Sequence, residues 1–244
     1  MGLIRINGAN YDNIETLAKH CKCDDMGGNH CPKAFLKLNE EETDFLFQNR
    51  RKITYNPGEL IIKQDSLPTH IICIESGFIK QYVETEGGKN LIFKVLSSPN
   101  TIGFSDILTH SPFKYTTAAV TKTTVCLIPV DDLIKIMKNN PAVSMAILEY
   151  TNDINQELIQ TIINYTQKNM YQKVATLILF LKKNMFSDKL FTIPFTRQEL
   201  ADMCSITKES LIRILKEFKD SEYIRVNINE IEILNESALE KMSK

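Results

Sequence analysis

The chain lacks any run of about 18 apolar residues, so no membrane-spanning helix is expected. Its opening stretch, MGLIRINGANYDN, lacks the apolar centre of a secretory signal, and Ile6 stands where N-myristoylation needs Ser or Thr. A cytoplasmic protein is the expectation. Strong charge is missing too: the formal net charge is −1, which does not by itself advertise nucleic-acid binding. No P-loop, zinc-hydrolase spacing or nucleophile–base set occurs, and His20, His30, His70 and His110 are scattered without a catalytic partner in sequence, which argues against an enzyme. Disulfides are not expected from six cysteines in a cytosolic setting.

What is present is a 244-residue chain with 43% hydrophobic residues, enough for one large domain or two modest ones. Its texture changes along its length. Residues 1–34 show no helical or strand period and hold Cys21, Cys23 and Cys31. LNEEETDFLFQNR, from Leu38 to Arg50, reads as a short helix capped by Asn39, with acids in its first turn and Phe45 and Leu46 as apolar faces. From Lys52 to Pro129 short apolar or alternating runs are punctuated by turns at Asn56-Pro57-Gly58, Glu75-Ser76-Gly77 and Glu86-Gly87-Gly88, the pattern of an all-β roll or barrel. Beyond Val130 the pattern is helical. VDDLIKIMKNN is stopped by Pro141, and the following stretch to Asn169 has no Gly or internal Pro. Met145, Leu148, Ile154, Leu158, Ile162 and Tyr165 keep a stripe along it that suits either a local core or a two-stranded coiled coil.

The most informative stretch is TRQELADMCSITKESLIRILKEFK, Thr196 to Lys219. Thr196 and Glu199 form a capping box, and Leu200, Ala201 and Met203 make an apolar side. Cys204-Ser205-Ile206 breaks the pattern. Thr207 caps a second helix with Glu209 in its first turn, and Leu211, Leu215 and Phe218 form its buried stripe. Lys208, Glu209, Arg213 and Lys216 lie on the opposite face. Two helices joined so tightly are either a plain helical hairpin with a solvated face or a helix-turn-helix. YIRVNINEIEIL then gives two alternating strands, a wing. From Asn164 to Asp220 ten basic and six acidic residues give a local net of +4, a modest electrostatic footprint.

TRQE followed by TKESLIRIL closely resembles the DNA-binding motif of the bacterial CRP/FNR regulators, and the order PGELI, IICIESGFIK, VCLIP resembles their sensory β-roll, so the resemblance covers nearly the whole chain. It implies an α+β fold: a β-roll at 35–140, a dimerisation helix at 141–168 and a winged helix-turn-helix at 169–244, preceded by a cysteine-bearing segment at 1–34. It implies DNA contacts from Thr196, Arg197, Gln198, Thr207, Lys208, Glu209, Ser210, Arg213 and Lys216. Glu209 and Arg213, four residues apart, would share one groove: Arg donates two bonds to guanine, and Glu accepts from a base amino group. Ile212 replaces the family's small or hydroxyl residue, and Ser205 its turn Gly. A homodimer on a palindromic operator, with RNA polymerase as a further partner, completes the implication.

Members that bind cyclic AMP hold it with a Gly-Glu and an Arg-Ser pair. Here Gly103 is followed by Phe104 and Ser105, and Tyr115-Thr116 stands in place of Arg-Ser, so no cyclic nucleotide is expected; Lys114 cannot reproduce a bidentate Arg fork. Cys73 and Cys204 read as small buried hydrophobes. Cys21, Cys23 and Cys31 need a fourth ligand. The oxygen-sensing FNR members carry three N-terminal cysteines and a distant one in a V-C-x-I-P strand, matched here by Cys31-Pro32 and by Cys126 in VCLIP. That resemblance implies a [4Fe–4S] cluster on Cys21, Cys23, Cys31 and Cys126. The gaps of one and seven residues differ from the family's, and zinc with a nearby His, or no metal, stays open. The leading expectation is an oxygen- or redox-controlled transcription regulator. Its rivals are a metal-free regulator sensing a small molecule or thiol oxidation, and a cyclic-nucleotide-type regulatory module of a larger assembly.

Overall fold

A computed structural model describes residues 34–85, 90–98, 100–109, 111–186 and 188–244. Cys21, Cys23, Cys31, the Glu86-Gly87-Gly88 turn and His110 lie outside the described residues. The chain divides into two compact units. Among the described residues, one takes in those from 34 to 81 and from 95 to 155, the other those from 82 to 94 and from 156 to 244.

The first unit opens with a single 3₁₀ turn, Phe35–Lys37, followed by helix α1, Glu40–Gln48. Asn39 and Glu42 close a reciprocal capping box on α1. Leu46 and Phe47 turn inward, whereas Phe45 is partly exposed beneath the Lys135 ammonium, so the helix's apolar face differs by one residue from the sequence expectation. Strands β1 (Arg51–Tyr55), β2 (Leu60–Ile62), β3 (His70–Ser76), β4 (Phe78–Glu84), β5 (Asn90–Ser97) and β6 (Asn100–Ile102) follow. Helix α2 (Phe104–Ile107), β7 (Thr116–Ala119) and β8 (Thr123–Pro129) come next. The strands form two four-stranded sheets, ordered β1-β8-β3-β6 and β2-β7-β4-β5. β6 has only three residues and no alternation to betray it, and the sequence reading missed it.

The β3–β8 ladder is the spine of the first sheet, with Ile71 opposite Ile128 and Cys73 opposite Cys126. Ile71, Ile72, Cys73 and Ile74 are all buried, so both faces of this strand are covered. One face packs on helices: Ile71, Cys73, Cys126 and Ile128 share a core with Ala34, Phe35, Leu46, Phe47 and Phe104. Leu133 and Ile136 of α3 (Val130–Asn139) and Val143, Ala146 and Ile147 of α4 (Pro141–Gln167) complete it. The ring of Phe104 meets Phe35 and Tyr150 edge-on, at centroid separations of 5.8 and 5.5 Å.

α4 runs for 27 residues. Its stripe does not fold back on its own chain throughout: Met145, Leu148, Leu158 and Ile162 are exposed, Met145 by 58% and Ile162 by 60%. Tyr165 differs, since its hydroxyl donates to the Ile92 carbonyl at 2.7 Å. The second unit continues with α5 (Met170–Leu181), capped by an Asn169–Gln172 box, then β9 (Leu190–Thr192), α6 (Arg197–Cys204) and α7 (Lys208–Asp220). β10 (Ile224–Val226), β11 (Glu230–Ile233) and α8 (Glu236–Met242) close the chain. The sheet order β10-β11-β9 adds a third strand to the two read from sequence.

Gly77 holds φ +87° between β3 and β4, and a Cβ there would stand 2.5 Å from the Lys122 carbonyl. Gly58, with φ +88°, faces open space. Gly77→Ala should therefore cost about 2–5 kcal/mol, left-handed strain plus a clash, whereas Gly58→Ala should cost about 1–2 kcal/mol, strain alone. Urea unfolding of both variants measures the difference. Equal losses would mean that the close approach at Gly77 is not rigid.

Candidate nucleic-acid interface and sensory face

The helix-turn-helix is built from caps inward. Thr196 Oγ1 accepts from the Glu199 amide, while Glu199 Oε2 accepts from the Thr196 amide at 2.7 Å. Thr207 Oγ1 accepts from the Ser210 amide at 3.2 Å and lies 3.0 Å from the Ser210 hydroxyl. Both threonines thus spend their hydroxyls on helix starts. Ser205 takes φ +52°, ψ +44°, the left-handed turn that Gly would adopt without strain. Leu200, Ala201 and Met203 bury against Leu211, Ile214, Leu215 and Phe218; Ile214 joins the stripe read from sequence. Cys204 is buried, and burial pushes its thiol up to about 12, so it stays protonated near neutrality.

On the outer face of α7, Lys208, Glu209, Ile212, Arg213 and Lys216 are exposed together. Ile212, 48% exposed, presents an apolar edge between charged neighbours. Arg213 is not loose. One of its nitrogens lies 3.4 Å from the Tyr171 hydroxyl and 3.6 Å from Glu217 Oε1, and Tyr171 donates to Glu217 at 2.7 Å. That bond to Glu217 is the leading cause that raises the Tyr171 hydroxyl above its ordinary range. Arg197 turns to the wing: its guanidinium donates to the carbonyls of Asn227 and Ile228 at 3.1 and 3.2 Å, and partial burial lowers its pKa. Ile228 at the wing tip is 89% exposed. Gln198 donates to Asp202. The sequence reading named Arg213 but missed Tyr171 and Glu217, because the Tyr lies 42 residues away and no periodicity links it to α7.

The roll region where relatives hold a cyclic nucleotide carries different chemistry. Phe104 is a core ring, and Tyr115 donates to Asp106 at 3.1 Å. Burial first, then the Asp106 charge, drives the Tyr115 hydroxyl strongly upward. Phe104 and Tyr115 stand where the resemblance places Glu and Arg, so those positions supply neither a carboxylate for a ribose hydroxyl nor a guanidinium fork for a cyclic phosphate. On the helix-covered face of the first sheet, the amide of Val130 donates to the Thr69 carbonyl at 3.1 Å, which fixes the alternation: Ile71/Ile128 and Cys73/Cys126 are hydrogen-bonded pairs, with Cα atoms about 5.5 Å apart. The row continues across the sheet from Lys52 through Cys126 and Cys73 to Thr101, whose hydroxyl reaches Cys73 Sγ at 3.9 Å. Cys73 is buried, as read from sequence, but its place beside Cys126 was invisible there. Cys21, Cys23 and Cys31 are outside the described residues, and among the described residues no group of three or more His, Cys, Asp or Glu could hold a metal.

A β-roll, a long helix and a winged helix-turn-helix make the architecture of a DNA-binding regulator. Residues 52–140 match the cyclic nucleotide-binding domain family, and residues 172–242 match the Crp-like helix-turn-helix domain family. The chain is 28% identical over 211 residues to the fumarate and nitrate reduction regulatory protein of Vibrio cholerae, covering 84% of each. It is 22% identical over 225 residues to the transcriptional activator protein FnrA of Stutzerimonas stutzeri, covering 90% of this chain and 91% of the relative. Among solved structures, FixK2 of Bradyrhizobium japonicum superposes with a TM-score of 0.73 at 17% identity, over 80% of this chain and 98% of that one. A putative crp/fnr regulator of Eubacterium rectale gives 0.72 at 19% identity, over 84% and 95%. The two domain matches, with the FNR-named relatives, make the chain a CRP/FNR-type DNA-binding transcription regulator and not an enzyme. No helix among the described residues is long and apolar enough to cross a membrane.

Ser205 gives a direct check on the turn. Ser205→Gly should raise stability by up to about 1 kcal/mol, because relief of left-handed strain exceeds the extra entropy of Gly, whereas Ser205→Val should lower it by about 1–2 kcal/mol. Thermal unfolding of the two variants reads the sign; a stabilising Val would refute the left-handed turn.

Proposed function

We propose that this chain is a homodimeric regulator that binds a palindromic operator and responds to oxygen or redox state through an iron–sulfur cluster on Cys21, Cys23, Cys31 and Cys126. The single observation that carries this reading is the position of Cys126. It lies on the sheet face that also receives Ala34 and Phe35. Three peptide units join Cys31 to Ala34, a reach of about 11 Å at most, which supports Cys31 as a ligand beside Cys126. The donor set fits: thiolates are the usual ligands of iron–sulfur clusters, and when bound such a cluster would supply an oxygen-labile centre. Lys52 and Thr101, at either end of the cross-strand row, flank the two sheet cysteines with a cation and a hydroxyl. A relative named for fumarate and nitrate reduction supports redox control.

The assigned parts are the cysteine segment at 1–34, the roll at 35–140, the dimer helix at 141–168 and the DNA-binding domain at 169–244. The exposed stripe of Met145, Leu148, Leu158 and Ile162 supports α4 as the dimer seam, since so much apolar surface on one helix is costly to leave in water. Glu209 and Arg213 read base edges in one major groove. Ile212 faces the same groove and suits a thymine methyl. Lys208, Lys216, Ser210 and Gln198 meet the sugar–phosphate backbone, Thr196 and Thr207 present their helix N-termini to it, and Arg197 acts there through the wing it holds. RNA polymerase is the downstream partner, in the cytoplasm.

Two experiments test the halves of this reading. Arg213→Ala should cost about 1–3 kcal/mol per half-site and relax one base position. Lys216→Ala should weaken all sequences alike and reduce the salt slope by about 1. Equal loss on preferred and random duplexes for Arg213→Ala would refute base reading. For the cluster, anaerobically purified protein should be brown, bleach in air and lose DNA affinity as it does so. Cys126→Ser should remove the iron, whereas Cys73→Ser should keep it. Iron-free parent protein, or a Cys126→Ser variant with the parent's spectrum, would end the cluster assignment; retained iron in Cys126→Ser but not Cys73→Ser would move the ligand one strand across.

A further inference from the structure

We infer that Tyr171, a residue of α5 outside the helix-turn-helix, is a specificity-determining residue that holds Arg213 in its base-reading orientation. The inference rests on the reading of Arg213 as the base-contacting residue and adds a second helix to it. The geometry is a closed three-member cluster. Tyr171 donates to Glu217 at 2.7 Å, Arg213 Nη1 donates to the Tyr171 oxygen at 3.4 Å, and the same nitrogen faces Glu217 Oε1 at 3.6 Å. Arg213 and Glu217 are four residues apart on α7, so they share a face; Tyr171 is fixed at the second position of α5 by the Asn169–Gln172 capping box. The Tyr171 ring also leans on Phe218, with centroids 6.3 Å apart, and Phe218 is a buried anchor of α7. The hydroxyl therefore stands on a rigid base.

Guanidinium chemistry makes this arrangement useful. Arg carries five N–H donors in a planar fork. With Nη1 turned to Tyr171 and Glu217, the edge formed by Nε and Nη2 is left to donate two parallel bonds, the pattern that guanine O6 and N7 accept. A long side chain with several rotatable bonds loses freedom when it is immobilised at an interface. Tyr171 and Glu217 impose that order before DNA arrives. The uncharged phenol matters in particular, because Glu217 alone would draw Arg213 back along α7 as an ordinary exposed i,i+4 pair, which is weak. The hydroxyl bridges the two charges and sets the plane of the guanidinium.

The test uses the full chain, handled anaerobically, and the preferred duplex recovered by selection from a randomised pool. Affinities are measured for that duplex, for every single-base variant of its half-site and for random duplex, with parent protein, Tyr171→Phe, Arg213→Ala and the double variant. Tyr171→Phe keeps the ring on Phe218, so folding is preserved, and circular dichroism with thermal unfolding checks it. We expect Tyr171→Phe to weaken the preferred duplex about three- to tenfold per half-site, the scale of one freed side chain, and to leave random duplex unchanged. The loss should fall at the base position that Arg213→Ala relaxes and vanish when Tyr171→Phe is made in the Arg213→Ala background. If Arg213→Ala relaxes no base, the base-reading assignment itself fails and the inference falls with it. If Arg213→Ala relaxes a position but Tyr171→Phe leaves it untouched, weakens random duplex equally, or adds its full loss to Arg213→Ala, base reading stands and the role of Tyr171 is overturned.

Discussion

The pairing of β3 with β8 is the constraint on which the β-roll unit depends. Its register sets which side chains face the helices. Because side chains alternate along a strand, a slip of one residue would move Cys126 and Ile128 away from the helices and bring Val125 and Leu127 in their place. The core of Leu46, Phe47, Phe104, Leu133 and Ile147 closes only against the observed register. The same register brings Cys73 beside Cys126 and places both on the face where the described chain begins at Ala34. Gly77 protects it, since the turn between β3 and β4 passes too close to Lys122 and Thr123 for any side chain.

In the DNA-binding unit the governing economy is in backbone groups at helix ends. Asn169, Thr196 and Thr207 each cap a helix with a side-chain oxygen, and the left-handed Ser205 lets α6 turn directly into α7. These local bonds fix where three helices begin. The buried faces of α6 and α7 lock their mutual orientation, and the charged residues of α7 are left to project together. Arg197 bridges from α6 to the wing carbonyls, so the wing and the helix-turn-helix are one construction rather than two neighbours.

How much was legible beforehand differed by region. The cap at Asn39 and the capping box at Thr196 were readable because their signals lie within one helical turn. The buried stripe of α7 was readable because Leu211, Leu215 and Phe218 recur at the helical period. The outward turn of Phe45 was not: it sits next to Leu46 and Phe47, and only the packing against the sheet decides which of three adjacent apolar residues is left out. β6 and β9 are three-residue strands whose existence depends on a neighbour to pair with. The tie from Arg197 to the wing was also hidden, because a charged residue in a first helical turn looks the same in sequence whether it points at a phosphate or at a carbonyl thirty residues on.

The sequence by itself determined the class of protein, through local and periodic signals: caps, turns, the α7 stripe, the VCLIP strand and the loss of the phosphate-binding Arg at Tyr115-Thr116. It also determined that α4 would be long and striped. Only the tertiary structure decided which cysteines stand together, since Cys73 and Cys126 are 53 positions apart and meet through strand register alone. It alone decided that Tyr171 and Glu217 hold Arg213. Such meetings depend on how helices and strands pack, and packing is a property of surfaces far apart in the chain, which no short stretch of residues encodes.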